Sequence, residues 1–128
     1  MVTIQSGANS PLVVINTFSV TPETQDQLIE LLNHATEEVI KNMPGFISSS
    51  VHHGHDGTKV ANYSQWEDRA AFDEMLNNKK AQSFVQAALK IATKAEIVFY
   101  EVDEVHEKEL SAESKPSFDV EARDISAD

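Results

Sequence analysis

The stretch from Lys59 to Phe72, KVANYSQWEDRAAF, indicates a β-strand that runs directly into an α-helix. Side chains at alternate positions over residues 60–66 lie on one face of an extended strand. Asp68 stands where it can cap the following helix, whose apolar residues recur at helical spacing. Trp66, the only Trp of the chain, therefore shares a strand face with the amide of Asn62. An amide and an indole on one apolar face are suited to contact a ligand.

The composition indicates one domain with one core, because the chain has 128 residues and 41% of them are hydrophobic. It contains no apolar run of about 20 residues and no basic-then-apolar leader, so we expect a cytoplasmic protein with no membrane partner. The absence of Cys excludes disulfides, thiolate metal sites and cysteine nucleophiles.

The net charge of −11 is concentrated at the C-terminal end. Residues 101–128 contain ten acidic and three basic side chains, which leaves a net charge of −4 for residues 1–100. No basic cluster is available to neutralise phosphates, so a nucleic acid is not an expected partner. We predict a flexible N-terminal arm (1–11), a folded domain (12–105) and an acidic, disordered tail (106–128).

The hydrophobic pattern predicts alternating strands and helices. The predicted elements are strands at 12–20, 46–55, 59–66 and 97–105, helices at 22–42 and 79–93, and a short helix after Asp68. This order matches the split βαβ plan of a ferredoxin-like antiparallel sheet, an α+β fold with its helices on one face. The first and last strands are apolar on both faces, so a second copy of the chain is expected to cover the open face as a homodimer.

The Asp56-Gly57 pair predicts a tight hairpin between the second and third strands. With a two-residue loop, Val51 lies opposite Asn62, His53 lies opposite Val60 and Ile47 lies opposite Trp66. A loop one residue longer would shift the pairing and present His52 to the same face instead of His53.

Asn16 is an amide among the apolar residues of the first strand, and an unpaired buried amide costs roughly 1–3 kcal/mol. Its partner could be Asn62, water, the backbone or a ligand, and an amide that only satisfies an edge or a bulge is an alternative. A sole Trp at a strand end is often an ordinary core residue, so Trp66 could either contact a ligand or only fill the core.

Three histidines near the hairpin, His52, His53 and His55, could suggest a metal site. Only His53 and His55 share a strand face, and no acid pair completes a ligand shell, so we predict no metal site. His53 could still act as a base or a hydrogen-bond donor near neutral pH. The sequence contains no Gly-rich nucleotide-binding motif and no serine-hydrolase motif.

Three short runs resemble the antibiotic biosynthesis monooxygenase family: Pro44-Gly45-Phe46, Asp56-Gly57-Thr58 and the run VANYSQWE at 60–67. The likeness covers about residues 12–103 and is greatest for the subgroup that oxidises polyketide anthrones and related naphthacenones. It implies a dimeric α/β barrel, in which two sheets pack face to face and each sheet forms a pocket with its own helices.

The resemblance also implies a cofactor-independent monooxygenase, which uses no flavin, haem or metal to oxidise a polycyclic or quinol-type aromatic substrate. The substrate is deprotonated, and its anion reduces molecular oxygen directly. Asn16, Asn62 and Trp66 are the implied catalytic residues, because amides can bind an oxyanion or a peroxide and an indole offers a flat wall. The residues expected to contact the substrate are Phe18, Val51, His53, Phe72 and Phe84.

Some positions differ from those of relatives. Phe72 replaces an aromatic hydroxyl and Gln86 replaces an Arg, so the substrate identity stays open. Haem-degrading relatives place a Trp and a haem-ligating His at the positions of Met75 and Val85, so haem cleavage is not expected. The alternative function is a non-catalytic dimer that binds a small aromatic or serves as an accessory protein, and such a protein would bind an anthrone or quinol without consuming oxygen.

Overall fold

Residues 10–109, the part of the chain that this computed structural model describes, form a four-stranded antiparallel sheet and three α-helices. The elements are β1 (Leu12–Ser19), α1 (Gln25–Glu38), a short 3-10 helix (Ile40–Asn42), β2 (Phe46–His53), β3 (Lys59–Trp66), α2 (Arg69–Leu76), α3 (Lys79–Ile91) and β4 (Lys94–Glu101). The strand order is β2-β3-β1-β4. The predicted ferredoxin-like α+β fold is confirmed. Most of the predicted arm (1–11) and tail (106–128) lies outside the described residues.

The β2–β3 hairpin has the predicted register, with Val51 opposite Asn62 and His53 opposite Val60. Its loop is longer than predicted, because the strands end at His53 and begin again at Lys59. The last pair of the hairpin is His53 with Val60, which leaves two extra residues on each side of Asp56-Gly57, so the pairing is unchanged. Within the loop, the Asp56 carboxylate accepts hydrogen bonds from the hydroxyl (2.7 Å) and the N–H (2.9 Å) of Thr58, which lower the pKa of Asp56.

The predicted pairing of Ile47 with Trp66 is wrong, because a bulge between Phe46 and Ser48 shifts the register. Phe46 pairs with Trp66 instead, and Ile47 is left exposed. A bulge adds one residue to one strand and redirects its side chains. The result is an edge-to-face contact between the rings of Phe46 and Trp66, with centroids 5.3 Å apart.

Of the predicted element bounds, those of α1 and β4 differ most from the structure. α1 begins after a turn in which the N–H of Thr24 donates to the carbonyl of Thr21, and it ends where Val39 leaves helical geometry (φ −129°, ψ −57°). β4 covers residues 94–101 instead of 97–105, because it pairs along the full length of β1 and β1 begins at Leu12. The extent of β4 is therefore determined by its neighbour.

Most of the buried apolar residues form two clusters, each of which joins helix residues to alternate residues of the sheet. One cluster is built around Trp66, Phe72 and Met75. The other is built around Leu28 of α1 and Val60 of β3. Both clusters lie on the same face of the sheet, where the three helices pack. Within residues 10–109, no helix has the length and apolar character needed to cross a membrane.

Candidate active site

A cavity of about 280 Å³ lies between the sheet and the helices and is lined by members of both clusters. None of the described residues that line it is charged, and most are apolar. The polar lining side chains are Asn16, Thr36, Ser49, Asn62 and Ser64. The hydroxyl of Thr36 donates to the carbonyl of Leu32 one turn earlier in α1 (2.9 Å), so it is already satisfied. The remaining polar groups all belong to the sheet, which makes one wall of the cavity polar.

Strand pairing places these sheet residues side by side. Asn16 of β1 lies directly opposite Asn62 of β3, and Ser49 of β2 lies directly opposite Ser64 of β3. Side chains that are directly opposite in an antiparallel pair have Cβ atoms roughly 4.5–5.5 Å apart. The two amides, which are 46 positions apart in the chain, therefore become neighbours on the cavity wall.

The amide of Asn62 is held at its oxygen. The hydroxyl of Ser49 donates a hydrogen bond to Asn62 Oδ1 at 2.9 Å. Among the described residues, no hydrogen bond involves Asn62 Nδ2, so this donor group is available to a ligand. An amide N–H group in a low-dielectric cavity is a suitable donor to an oxyanion.

Asn16 has a buried Oδ1 atom with no hydrogen-bond partner in the described structure. Leaving such an atom unpaired costs roughly 1–3 kcal/mol, and a buried polar group of this kind needs an explanation. Its Nδ2 atom also makes no hydrogen bond with the described residues. An unsatisfied amide that lines an apolar cavity is consistent with a site that a ligand completes.

Trp66 is buried, and its indole N–H donates to the hydroxyl of Ser64 at 3.2 Å. Its ring makes edge-to-face contacts with Phe46 and with Phe72, at centroid distances of 5.3 and 5.8 Å. The N–H group is therefore occupied within the protein. Trp66 lines the cavity with a ring that is only 1% exposed, and the two phenylalanines set its orientation.

Comparison with known proteins places the chain in a family. Residues 11–87 match the family described as antibiotic biosynthesis monooxygenase. The chain belongs to the antibiotic biosynthesis monooxygenase family. The family resemblance that the sequence motifs indicated is thus confirmed.

Two proteins that this chain resembles are themselves named as monooxygenases. The chain is 41% identical over 69 residues to tetracenomycin-F1 monooxygenase of Streptomyces glaucescens, a match that covers 54% of this chain and 62% of that protein. It thus spans less than two thirds of that relative's length. It also resembles the monooxygenase from the gene ActVA-Orf6 of Streptomyces coelicolor, solved in complex with nanaomycin D, with a TM-score of 0.72 and 29% identity over 77% of this chain and 93% of the other.

A more distant structure supports the fold alone. A protein of Mycobacterium tuberculosis is 20% identical, has a TM-score of 0.65, and matches over 76% of this chain and 100% of its own. The chain therefore shares its ferredoxin-like arrangement with a protein to which it has little sequence identity.

The cavity is lined by six of the eight site residues that were expected from the sequence. They are Asn16, Phe18, Asn62, Trp66, Phe72 and Phe84. The structure does not bring Val51 or His53 to it. Val51 packs against the cluster around Leu28, and His53 is exposed at the hairpin end, with its ring 6.5 Å from that of His55. Strand alternation gives the face on which a side chain lies, but it does not give how far the cavity extends along the strand.

Sequence reasoning did not identify Ser49, Ser64 or the cavity mouth. Ser49 lies within three consecutive serines, so only the strand register shows which of them faces the cavity. The mouth of the cavity is formed by exposed apolar residues of α2, α3 and β4, namely Leu76, Val85, Leu89 and Ile97.

Within residues 10–109, no group of three or more His, Asp or Glu side chains is arranged to hold a metal ion.

Proposed function

We propose that this protein is a cofactor-independent monooxygenase that oxidises a polycyclic or quinol-type aromatic substrate with molecular oxygen. The observation that carries the proposal is the pair of adjacent amides, Asn16 and Asn62, on the polar wall of an otherwise apolar cavity beside the ring of Trp66. Two similar proteins, one named for tetracenomycin F1 and one solved with nanaomycin D, are monooxygenases.

The proposed chemistry uses a substrate that carries an acidic C–H group next to a carbonyl, as an anthrone does. Loss of a proton to solvent forms an enolate, whose oxygen accepts hydrogen bonds from the amide N–H groups of Asn16 and Asn62. The electron-rich carbon then reduces oxygen and forms a peroxide at that carbon. Loss of water leaves a new carbonyl, so CH₂ and O₂ become C=O and H₂O.

The shape of the cavity supports a flat, uncharged ring system as the substrate. The apolar lining and the mouth on α2, α3 and β4 would bury the hydrocarbon part of such a molecule, and the ring of Trp66 would lie against it. The oxygenated edge would face the sheet, which carries the available hydrogen-bond donors. A permanently charged substrate group would have no oppositely charged partner among the described lining residues.

Oxygen uptake by protein freed of metal and flavin tests this function. With 1,8-dihydroxyanthrone, we expect an oxygen electrode to record uptake well above the protein-free rate, with one O₂ consumed for each quinone formed and no inhibition by a chelator. Heat-unfolded protein is the control for spontaneous oxidation. Failure to exceed the protein-free rate with both anthrones and hydroquinones would contradict the proposal.

A non-catalytic binding function is the second candidate, and it is favoured by one observation. No described residue of the cavity lining has a charged side chain that could remove a proton from the substrate. The single Trp lies in the cavity, so quenching of its fluorescence reports binding directly. Saturable quenching by an anthrone without oxygen uptake would favour binding over catalysis.

We also propose that the chain forms a homodimer through the face of the sheet that is turned away from the helices. Val98 and Tyr100 of β4 lie on this face and are 38% and 45% exposed. Ile15 of β1 lies opposite Val98 and adds to the apolar surface. A second copy that presents the same face would bury these side chains symmetrically.

Sedimentation velocity at micromolar concentration should therefore give twice the chain mass of 14.2 kDa. Val98→Lys should weaken the dimer, because it places a charge in the proposed interface. Leu89→Lys is the matched control, since Leu89 is also an exposed apolar residue but lies on α3 at the cavity mouth. A parent chain that sediments as a stable monomer would contradict the dimer.

A further inference from the structure

Ser49 is connected to the cavity amide of Asn62 by a hydrogen bond between strands. Its hydroxyl donates to Asn62 Oδ1 at 2.9 Å. Ser49 lies opposite Ser64, so it is the diagonal neighbour of Asn62 on the same face of the sheet. The bond is partly buried, and both side chains line the cavity.

We propose that Ser49 is a positioning residue that holds the Asn62 amide with its N–H groups directed toward the substrate oxygen. The inference rests on the proposed function of the same site. The two ends of an Asn side chain are nearly equal in size, so the cavity shape alone cannot distinguish the oxygen from the nitrogen. A hydroxyl donor at one end selects the orientation in which the oxygen faces Ser49.

The opposite orientation of the amide would satisfy fewer groups. Asn62 Nδ2 could donate to the oxygen of Ser49, but the hydroxyl proton would then lose its acceptor. Ser49 Oγ has no other hydrogen-bond partner among the described residues. The amide oxygen would also point toward the substrate and repel a developing oxyanion.

The hydrogen bond has a second effect on the amide. A donor at the oxygen polarises the amide group and strengthens the N–H groups as donors to another acceptor. Together with the neighbouring amide of Asn16, the wall then favours the ionised form of a bound phenol or enol over its neutral form. Ser49 therefore contributes to catalysis through Asn62, without contacting the reacting atoms itself.

Substitutions at Ser49 test the proposal by steady-state kinetics. Ser49→Ala should lower kcat about 3- to 10-fold, the factor that corresponds to one neutral hydrogen bond, with little change in KM. Ser49→Thr keeps the hydroxyl and should recover most of the rate. Ser83→Ala is the matched control, because the Ser83 hydroxyl is exposed on α3, donates to the carbonyl of Lys80 and does not line the cavity.

A double-mutant cycle separates positioning from a general structural effect. Once Asn62 is replaced by Ala, the amide is gone and Ser49→Ala should cause no further loss of kcat. Losses that multiply independently in the double variant would overturn the proposal. Thermal unfolding of each single variant verifies that it is folded at the assay temperature.

The absorbance of bound 2-hydroxyanthraquinone gives a readout that does not require catalysis. The colour of this probe changes when its phenol ionises, and binding to the parent should lower the pKa of that phenol. In Ser49→Ala the pKa of the bound probe should rise by about 0.5 to 1 unit, and Ser49→Thr should restore the parent value. A protein that consumes no oxygen but shows this pattern would disprove the monooxygenase function while supporting the role of Ser49. An unchanged pKa, or failure of the parent to bind the probe, would overturn the role of Ser49.

Discussion

Replacing Asn62 with Ala is expected to lower turnover by roughly 10- to 1000-fold, at most the loss that follows removal of an oxyanion-hole donor. The amide N–H groups of Asn62 are available to a ligand, and the loss should appear mainly in kcat because the enolate and peroxide form after binding. Binding should change less, since most of the cavity surface is apolar and unaltered. Initial rates of oxygen uptake, measured over a range of anthrone concentrations, give both quantities.

Asn16→Ala should show a loss of the same order, because its amide lies directly opposite that of Asn62. It should not destabilise the fold, since Asn16 Oδ1 is buried without a partner and its removal relieves that cost. Asn33→Ala removes an exposed amide from α1 and is a suitable control. If Asn16→Ala and Asn62→Ala both retain the turnover rate of the parent protein with every oxidisable substrate tried, the catalytic assignment is wrong.

Gly45→Ala is expected to reduce the free energy of unfolding by more than about 2 kcal/mol. Gly45 has a φ of +83°, a backbone conformation that is strained for any residue with a side chain. An added Cβ would also overlap the Cβ of Ala71 in α2. The carbonyl of Gly45 also accepts a hydrogen bond from the N–H of Glu67 at 2.8 Å. Because α2 carries Phe72 of the cavity, activity should fall together with stability, as measured by denaturant unfolding and oxygen uptake.

Gly57→Ala separates the steric contribution from the backbone contribution. Gly57 has nearly the same φ, +82°, but an added Cβ there would lie 3.2–3.3 Å from atoms of Pro22, a much smaller overlap than the one at Gly45. It should therefore destabilise the fold less than Gly45→Ala and leave activity nearly unchanged, because the hairpin loop does not line the cavity. Equal losses for the two substitutions would contradict a specific role for the contact with Ala71.

Local patterns in the sequence were sufficient to predict the fold and the strand face that carries Asn62 and Trp66. Alternation along β3 placed Asn62 and Trp66 on one face, because successive side chains of a strand point in opposite directions. Asp68 was predicted to cap α2, and its carboxylate accepts from the N–H of Ala71 at 2.9 Å. The pairing of Val51 with Asn62 followed from the turn, since residues added equally to both sides of a hairpin leave its register unchanged.

The chemical environment of the site depended on tertiary structure. The bulge in β2 brings Phe46 onto Trp66, and the strand register selects Ser49 from three consecutive serines as the partner of Asn62. Val51 packs against the cluster around Leu28 and His53 is exposed, so neither side chain reaches the cavity. The physical reason is that side-chain alternation depends only on the local backbone, whereas the depth of a cavity and the partner of an amide depend on packing between elements that are distant in the sequence.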